Sequence, residues 1–114
     1  MQLSQVHTID WAKIEWEPVR RGVGRKAFSG NGATLALNRL EPGYEPLPHK
    51  HPHEQIVYIV QGTMALHIED TVLNLSAGSL AVVPGGAMHW GEVIGNEVVL
   101  NLDVFTPKRA EYAA

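Results

Sequence analysis

The chain's 114 residues are enough for one compact domain and too few for two, so residues 1–114 are expected to fold as a single unit. Nine Lys and Arg against twelve Asp and Glu leave a formal charge of −3, which offers no general attraction to a polyphosphate and removes nucleic acid from the expected partners. There is no cysteine, which excludes disulfide frameworks, thiolate-held zinc or iron–sulfur and thiol nucleophiles, so any metal must be held by imidazole, carboxylate or amide groups.

In chain order, residues 1–18 read as an arm with no apolar run and no small-residue cleavage site, and the expected location is the cytoplasm. Arg20, Arg21, Arg25 and Lys26 then form the one local charge cluster. It could draw an anionic substrate or a partner, and it reads first as a solvated loop before the first long strand, because no aromatic residues interleave with the charges. From Ala33 onward a period of two takes over: Leu35 and Leu37, then Met64, Leu66 and Ile68, then Val98, Leu100, Leu102 and Val104. Gly and Pro punctuate these runs at Pro42-Gly43, Gln61-Gly62, Ala77-Gly78, Pro84-Gly85-Gly86 and Gly95-Asn96. No helical periodicity is sustained. The expectation is about eight strands in an all-β barrel or double-sheet jelly roll, with the barrel core at 33–105 and a tail at 106–114. The longest apolar run, residues 56–60, is far too short to span a bilayer, and no membrane association is expected.

Three of the six histidines fall within residues 49–53. If that stretch is extended, His49, His51, His53 and Gln55 share one face and Ile56, Tyr58 and Val60 the other. Several imidazoles on the inner face of a small barrel are costly to desolvate unless something satisfies them, and a divalent metal does so. Pro52 disturbs the strand at His53, which reads as a rim residue, and Glu54 has the opposite parity. His67, beside Ala65 and Glu69, reads as solvent-facing. A strand and a Pro-Gly turn lead into His89, a second source of ligand. In the last strand the even positions Val98, Leu100, Leu102 and Val104 are wholly apolar and should pack against the other sheet or a second subunit. The odd positions Val99, Asn101, Asp103 and Phe105 suit a ligand cavity. Asp103 is then a general acid/base candidate, the alternative being a surface carboxylate, and Arg109 is its ion-pair partner or a clamp for a carboxylate.

The two histidine segments resemble the cupin pattern. Gly43, His49, His51 and Gly62 fit G-x5-H-x-H-x3-E-x6-G, and Gly78, Pro84, Gly86 and His89 fit G-x5-P-x-G-x2-H-x3-N. Gln55 stands where most cupins have Glu, and Val93 where the second pattern ends in Asn. The resemblance implies an RmlC-like double-stranded β-helix holding one divalent transition metal, Zn, Ni, Fe, Mn or Cu, through His49, His51, Gln55 and His89. Three neutral imidazoles and an amide would leave the ion's charge uncompensated, which sharpens its Lewis acidity and favours proton transfer over oxygen activation.

A narrower likeness lies in His-Pro-His-Glu-Gln at 51–55 with Tyr58 following, and in the run from Asp103 to Arg109. Over roughly residues 19–112 the chain is similar to the pectin-degradation cupins of the KdgF type. That resemblance implies an enzyme that opens 4,5-unsaturated uronates to linear 4-deoxy-5-keto-uronates, with Asp103 and Arg109 as the catalytic pair and Phe105 lining the pocket beside Asn101. The ligand is then a small anionic carbohydrate derivative. Other cupin roles, a metal-dependent dioxygenase or a non-enzymatic small-molecule-binding module, stand as alternatives. A homodimer is expected from the apolar even face of the last strand and from Trp11, Ile14 and Trp16 in the arm.

Overall fold

A computed structural model describes residues 6–112; residues 1–5 of the expected arm and 113–114 of the expected tail lie outside it. Among the described residues one 3-10 turn, Trp11–Lys13, precedes nine strands: β1 (Glu17–Arg20), β2 (Val23–Ser29), β3 (Thr34–Leu40), β4 (Glu54–Gln61), β5 (Thr63–Ile68), β6 (Thr71–Ser76), β7 (Leu80–Val83), β8 (His89–Val93) and β9 (Val99–Thr106). All pairings are antiparallel, in a six-stranded sheet of order β1-β2-β3-β9-β4-β7 and a three-stranded sheet of order β6-β5-β8. The all-β expectation holds, with nine strands rather than eight.

The extra strands come from the basic cluster. Residues 19–26 were expected as a solvated loop; instead they contribute to the β1–β2 hairpin, reversed at Gly22 in the left-handed region (φ +78), which glycine enters without a steric penalty. The charges mask the strand because Arg25 lines a polar cavity, so an inward position carries a cation where a dry core would carry an apolar side chain.

Alternation in β4 buries Gln55, Val57 and Ile59 and exposes Ile56, Tyr58 and Val60. Val57 and Ile59 join Met64, Leu66, Val83 and Val99 in the core, where each fully buried aliphatic side chain contributes ~1.5–3 kcal/mol relative to exposure. β9 alternates in the same sense: Val99, Asn101, Asp103 and Phe105 are buried, while Leu100, Leu102 and Val104 are half-buried on the outer face. Of the two packings expected for the even face, the one against the other sheet is not found. The polar odd set takes the interior because a cavity is there to receive it. Gly62, between β4 and β5, has φ +86, and a Cβ there would stand 2.9 Å from the Val98 carbonyl oxygen, so the tight turn admits only glycine.

Candidate metal centre and cavity

His49 precedes β4 and His89 opens β8, and the two are joined by a pair of backbone hydrogen bonds, His49 N to His89 O at 3.0 Å and His89 N to His49 O at 2.9 Å. The backbone around His51 is fixed by Gly86 N, which donates to the His51 carbonyl at 2.8 Å. Three imidazoles, two from the loop before β4 and one from the start of β8, therefore meet at one point, with their ligand atoms all within 4.8 Å of one another. Each spends its Nδ1–H on a main-chain carbonyl: His49 on Leu47 (2.9 Å), His51 on His53 (3.0 Å) and His89 on Ala87 (2.9 Å). A carbonyl can only accept, so Nδ1 carries the proton and Nε2 presents a bare lone pair. Burial lowers the pKa of both His51 and His89, that of His89 to about 4, which keeps these rings neutral and able to ligate.

Two observations fit a cation at this point. His89 Nε2 is buried with no hydrogen-bond partner among the described residues, a loss of ~1–3 kcal/mol for an unsatisfied polar atom. His51 Nε2 lies 3.1 Å from Gln55 Oε1, so a lone pair faces a carbonyl oxygen, two acceptors with nothing between them to share. Ligands bound at ~2.1 Å to one ion at tetrahedral or octahedral angles are about 3.0–3.4 Å apart, and the pair falls in that range. His49, His51 and His89 can hold a divalent metal. His53 lies outside the group. His67, expected to face solvent, is half-buried, stacked at 3.7 Å on the Trp90 ring and 3.0 Å from Glu92 Oε1.

The histidines open onto a cavity of about 240 Å³ inside the barrel. That is below the ~300–1,000 Å³ of pockets for drug-sized ligands, so it suits a small molecule and not a polymer. Asp103 is buried on its wall, which rules out the surface-carboxylate alternative. Its Oδ1 accepts from Asn101 Nδ2 at 2.9 Å, its Oδ2 from Asn38 Nδ2 at 2.8 Å, and the Gln55 amide adds a third hydrogen bond. Burial pushes its pKa up to about 7, against the pull of these three donors and of the more distant Arg109 charge. A carboxyl poised near neutrality can both give and take a proton at physiological pH. Gln55 touches both centres, its oxygen beside His51 and its amide on Asp103. A glutamate there could donate nothing to Asp103.

Arg109 does not bond Asp103. Its Nε contacts Glu111 Oε2 at 3.3 Å, and its guanidinium carbon lies 4.7 Å from the Phe105 ring centroid and 4.2 Å from that of Tyr112. Phe105 and Asn101 line the cavity as expected. Asn38, Tyr44 and Tyr112, which sequence reasoning missed, line it too, and so does Arg25 of the cluster that could draw an anionic substrate. Period two in β3 would have turned Asn38 inward together with Ala36, a signal obscured by the half-apolar, half-polar run around it. Tyr44, whose pKa burial raises, donates a short hydrogen bond to the carbonyl of Gly91.

The sequence model of the cupin domain matches residues 36–105, well over half the chain. The protein is a cupin. This cupin is 30% identical over 99 residues to the pectin degradation protein KdgF of Dickeya dadantii (strain 3937), an alignment covering 85% of this chain and 89% of that one. The solved structure of KdgF from Halomonas sp. superposes with a TM-score of 0.85 at 26% identity, over 94% of this chain and 98% of its own. An RmlC-like cupin from Shewanella frigidimarina NCIMB 400 gives the same TM-score at 22% identity, over 96% and 98%, a likeness of fold. The expected RmlC-like architecture and the kinship to KdgF are both borne out.

Proposed function

We propose that this cupin is a metal-dependent isomerase that opens the ring of 4,5-unsaturated uronates, with His49, His51, Gln55 and His89 as metal ligands and Asp103 as the proton carrier. The observation that carries the reading is Asp103, buried on the cavity wall, held near neutrality and hydrogen-bonded to the amide whose oxygen faces His51. A bound divalent metal would supply a Lewis acid that polarises an oxygen of the ligand. The reaction needs one proton at C4 as the C4=C5 enol ether becomes a C5 ketone, and it releases one from the C1 hydroxyl as the C1–O5 bond breaks. Asp103 in its acid form gives the first and as carboxylate takes the second, so atoms balance with a single group. Asn38 and Asn101 fix the carboxyl's orientation through both turnovers of charge. The Arg109 charge favours the ionised form without contacting it. The Phe105 ring walls the site from solvent. Kinship to a protein named for pectin degradation supports the choice of a uronate.

Unsaturated galacturonate added to metal-loaded protein should lose the ultraviolet absorbance of its conjugated double bond far faster than in buffer. Asp103→Asn, which keeps shape and removes the exchangeable proton, should slow this by ~10²-fold or more while metal content is unchanged. Absence of acceleration by the loaded wild type would overturn the reading, and oxygen consumption during turnover would replace it with a dioxygenase.

We infer in addition that two copies pair through the outer face of the six-stranded sheet. Ile56, Tyr58, Val60, Leu80 and Val82 are exposed there, and the register sets Ile56 beside Val82 and Val104, and Tyr58 beside Leu80 and Leu102.

A further inference from the structure

The cation expected to hold an anionic ligand, Arg109, is not on the cavity wall, whereas two arginines from the basic cluster are, Arg20 and Arg25. Of the formally charged residues on that wall, these two face a single carboxyl group, Asp103. The excess positive charge lies at the end of the cavity built by β1 and β2, away from the histidine cluster on β8 and the loop before β4.

Arg25 is the better placed of the two. In register it stands opposite Asn38 of β3, which stands opposite Asn101 of β9, one side-chain repeat along from the row of Ala36 and Asp103. With strands ~4.8 Å apart and two residues spanning ~6.8 Å, the Cα atoms of Arg25 and Asp103 are on the order of 12 Å apart. The Arg25 side chain is only 19% exposed, and among the described residues its one ionic contact is the exposed Glu17 carboxylate at 3.6 Å, too long for a hydrogen bond. Among the described residues no acceptor takes a hydrogen bond from its guanidinium. The group is nonetheless held, its central carbon 3.9 Å from the centroid of the Tyr112 ring, a ring shared with Arg109 and met edge-on by Phe105 at 5.6 Å. Arg20 is less free: its Nε donates to the Glu45 carbonyl at 3.4 Å. A desolvated, ring-held guanidinium with unspent donors on a cavity wall has the geometry for two-point recognition of a carboxylate.

We propose that Arg25 is the specificity-determining residue of this site and binds the carboxylate of a sugar acid whose ring lies between it and Asp103, with Tyr112 holding the guanidinium in place. The proposal rests on the uronate reading only in taking the anionic ligand to be a single sugar ring.

The test uses the metal-loaded full chain and two non-reacting probes, galacturonate and the neutral galactose, with binding followed by calorimetry. Wild type should prefer galacturonate. Arg25→Gln should weaken galacturonate roughly 10–100-fold and leave galactose unchanged, and Arg25→Lys should recover part of the loss, since it returns the charge without the fork. With unsaturated galacturonate as substrate, Arg25→Gln should raise KM by a similar factor with kcat within about threefold of wild type. Melting temperature and metal content of both variants show whether the fold and metal centre survive. Equal weakening of both sugars, or an acid preference that persists in Arg25→Gln, overturns the proposal. If galacturonate preference depends on Arg25 yet no unsaturated uronate is turned over, the ring-opening reading falls and this one stands. If turnover is fast and indifferent to Arg25, the reverse holds.

Discussion

Each histidine of the cluster turns the same nitrogen inward because each spends the other on a carbonyl two residues away: Leu47 for His49, His53 for His51, Ala87 for His89. Such short-range acceptors fix ring orientation without help from distant side chains, which is one reason the cluster could be found in the sequence. The same burial gives the metal-free protein two opposed pH dependences. His89 has its pKa depressed from 6.5 to about 4, so the unfolded chain takes up a proton first and stability is lost as pH falls from about 6.5 toward 4. Asp103 is raised from 3.8 to about 7, so the folded chain keeps its proton longer and stability is lost as pH rises through that window. In wild type the two slopes oppose. Asp103→Asn removes the second and leaves the first, reinforced by His51, whose pKa is also lowered. Denaturant titrations of the metal-free proteins at pH 6.5 and 4.5 should therefore show Asp103→Asn losing up to ~3 kcal/mol more than wild type on acidification. Equal losses would show that Asp103 is not held near neutrality by the fold.

Between residues and sheets, the decisive element is the β7–β8 turn. Pro84, Gly85 and Gly86 hold the loop that carries His51: Gly86 N bonds the His51 carbonyl at 2.8 Å, and a Cβ on Gly85 would stand 2.4 Å from the Pro52 carbonyl oxygen. Gly85→Ala must push the loop away from the turn and should weaken metal binding about tenfold or more, read by competition with a chromophoric chelator, while the core and its far-ultraviolet signal persist. An unchanged affinity would mean that the loop does not depend on the turn. Elements built on this punctuation were legible in advance. β4 and β9 alternate cleanly, and the parity of β9 puts Asn101, Asp103 and Phe105 on one face, which the cavity makes the inner one. The β1–β2 hairpin was not legible, because its inward residues face a polar cavity and carry charge where alternation would look for an apolar side chain. Asn38 was missed and Arg25 was read first as part of a solvated loop for that reason, and Arg109 was placed in the cavity although the chain beyond β9 lays it across Phe105 and Tyr112 instead.

At the scale of the molecule the six-stranded sheet uses its two faces for different ends. Its inner face carries the cavity, and its outer face presents β7, β4, β9 and β3 in order, with Val82, Ile56, Val104 and Leu35 in one row and Leu80, Tyr58, Leu102 and Leu37 in the next. Two adjacent rows with no charge and no polar side chain but the Tyr58 hydroxyl make a continuous apolar surface of the kind that soluble monomers seldom leave open. The described part of the arm keeps to the β2 side of this face: His7, Ile9 and Trp11 meet Phe28 and Leu35, and Trp16 packs on β2, where a Cβ on Gly24 would stand 3.4 Å from the ring and the Lys26 ammonium lies 4.6 Å from its centroid. An antiparallel sheet face can meet its own copy across a two-fold axis, each row against its counterpart, without any chemistry that the chain lacks. Light scattering at micromolar concentration should give twice the chain's 12.5 kDa. Val82→Glu, at a position 53% exposed in the single chain and so of little cost to its fold, would set like charges against apolar rows and should return the mass to that of one chain. The outer rows lie on the opposite side of the sheet from the cavity, so the monomeric variant should keep its metal and its ligand affinity. A single-chain mass for wild type would show that the outer face stays open to water.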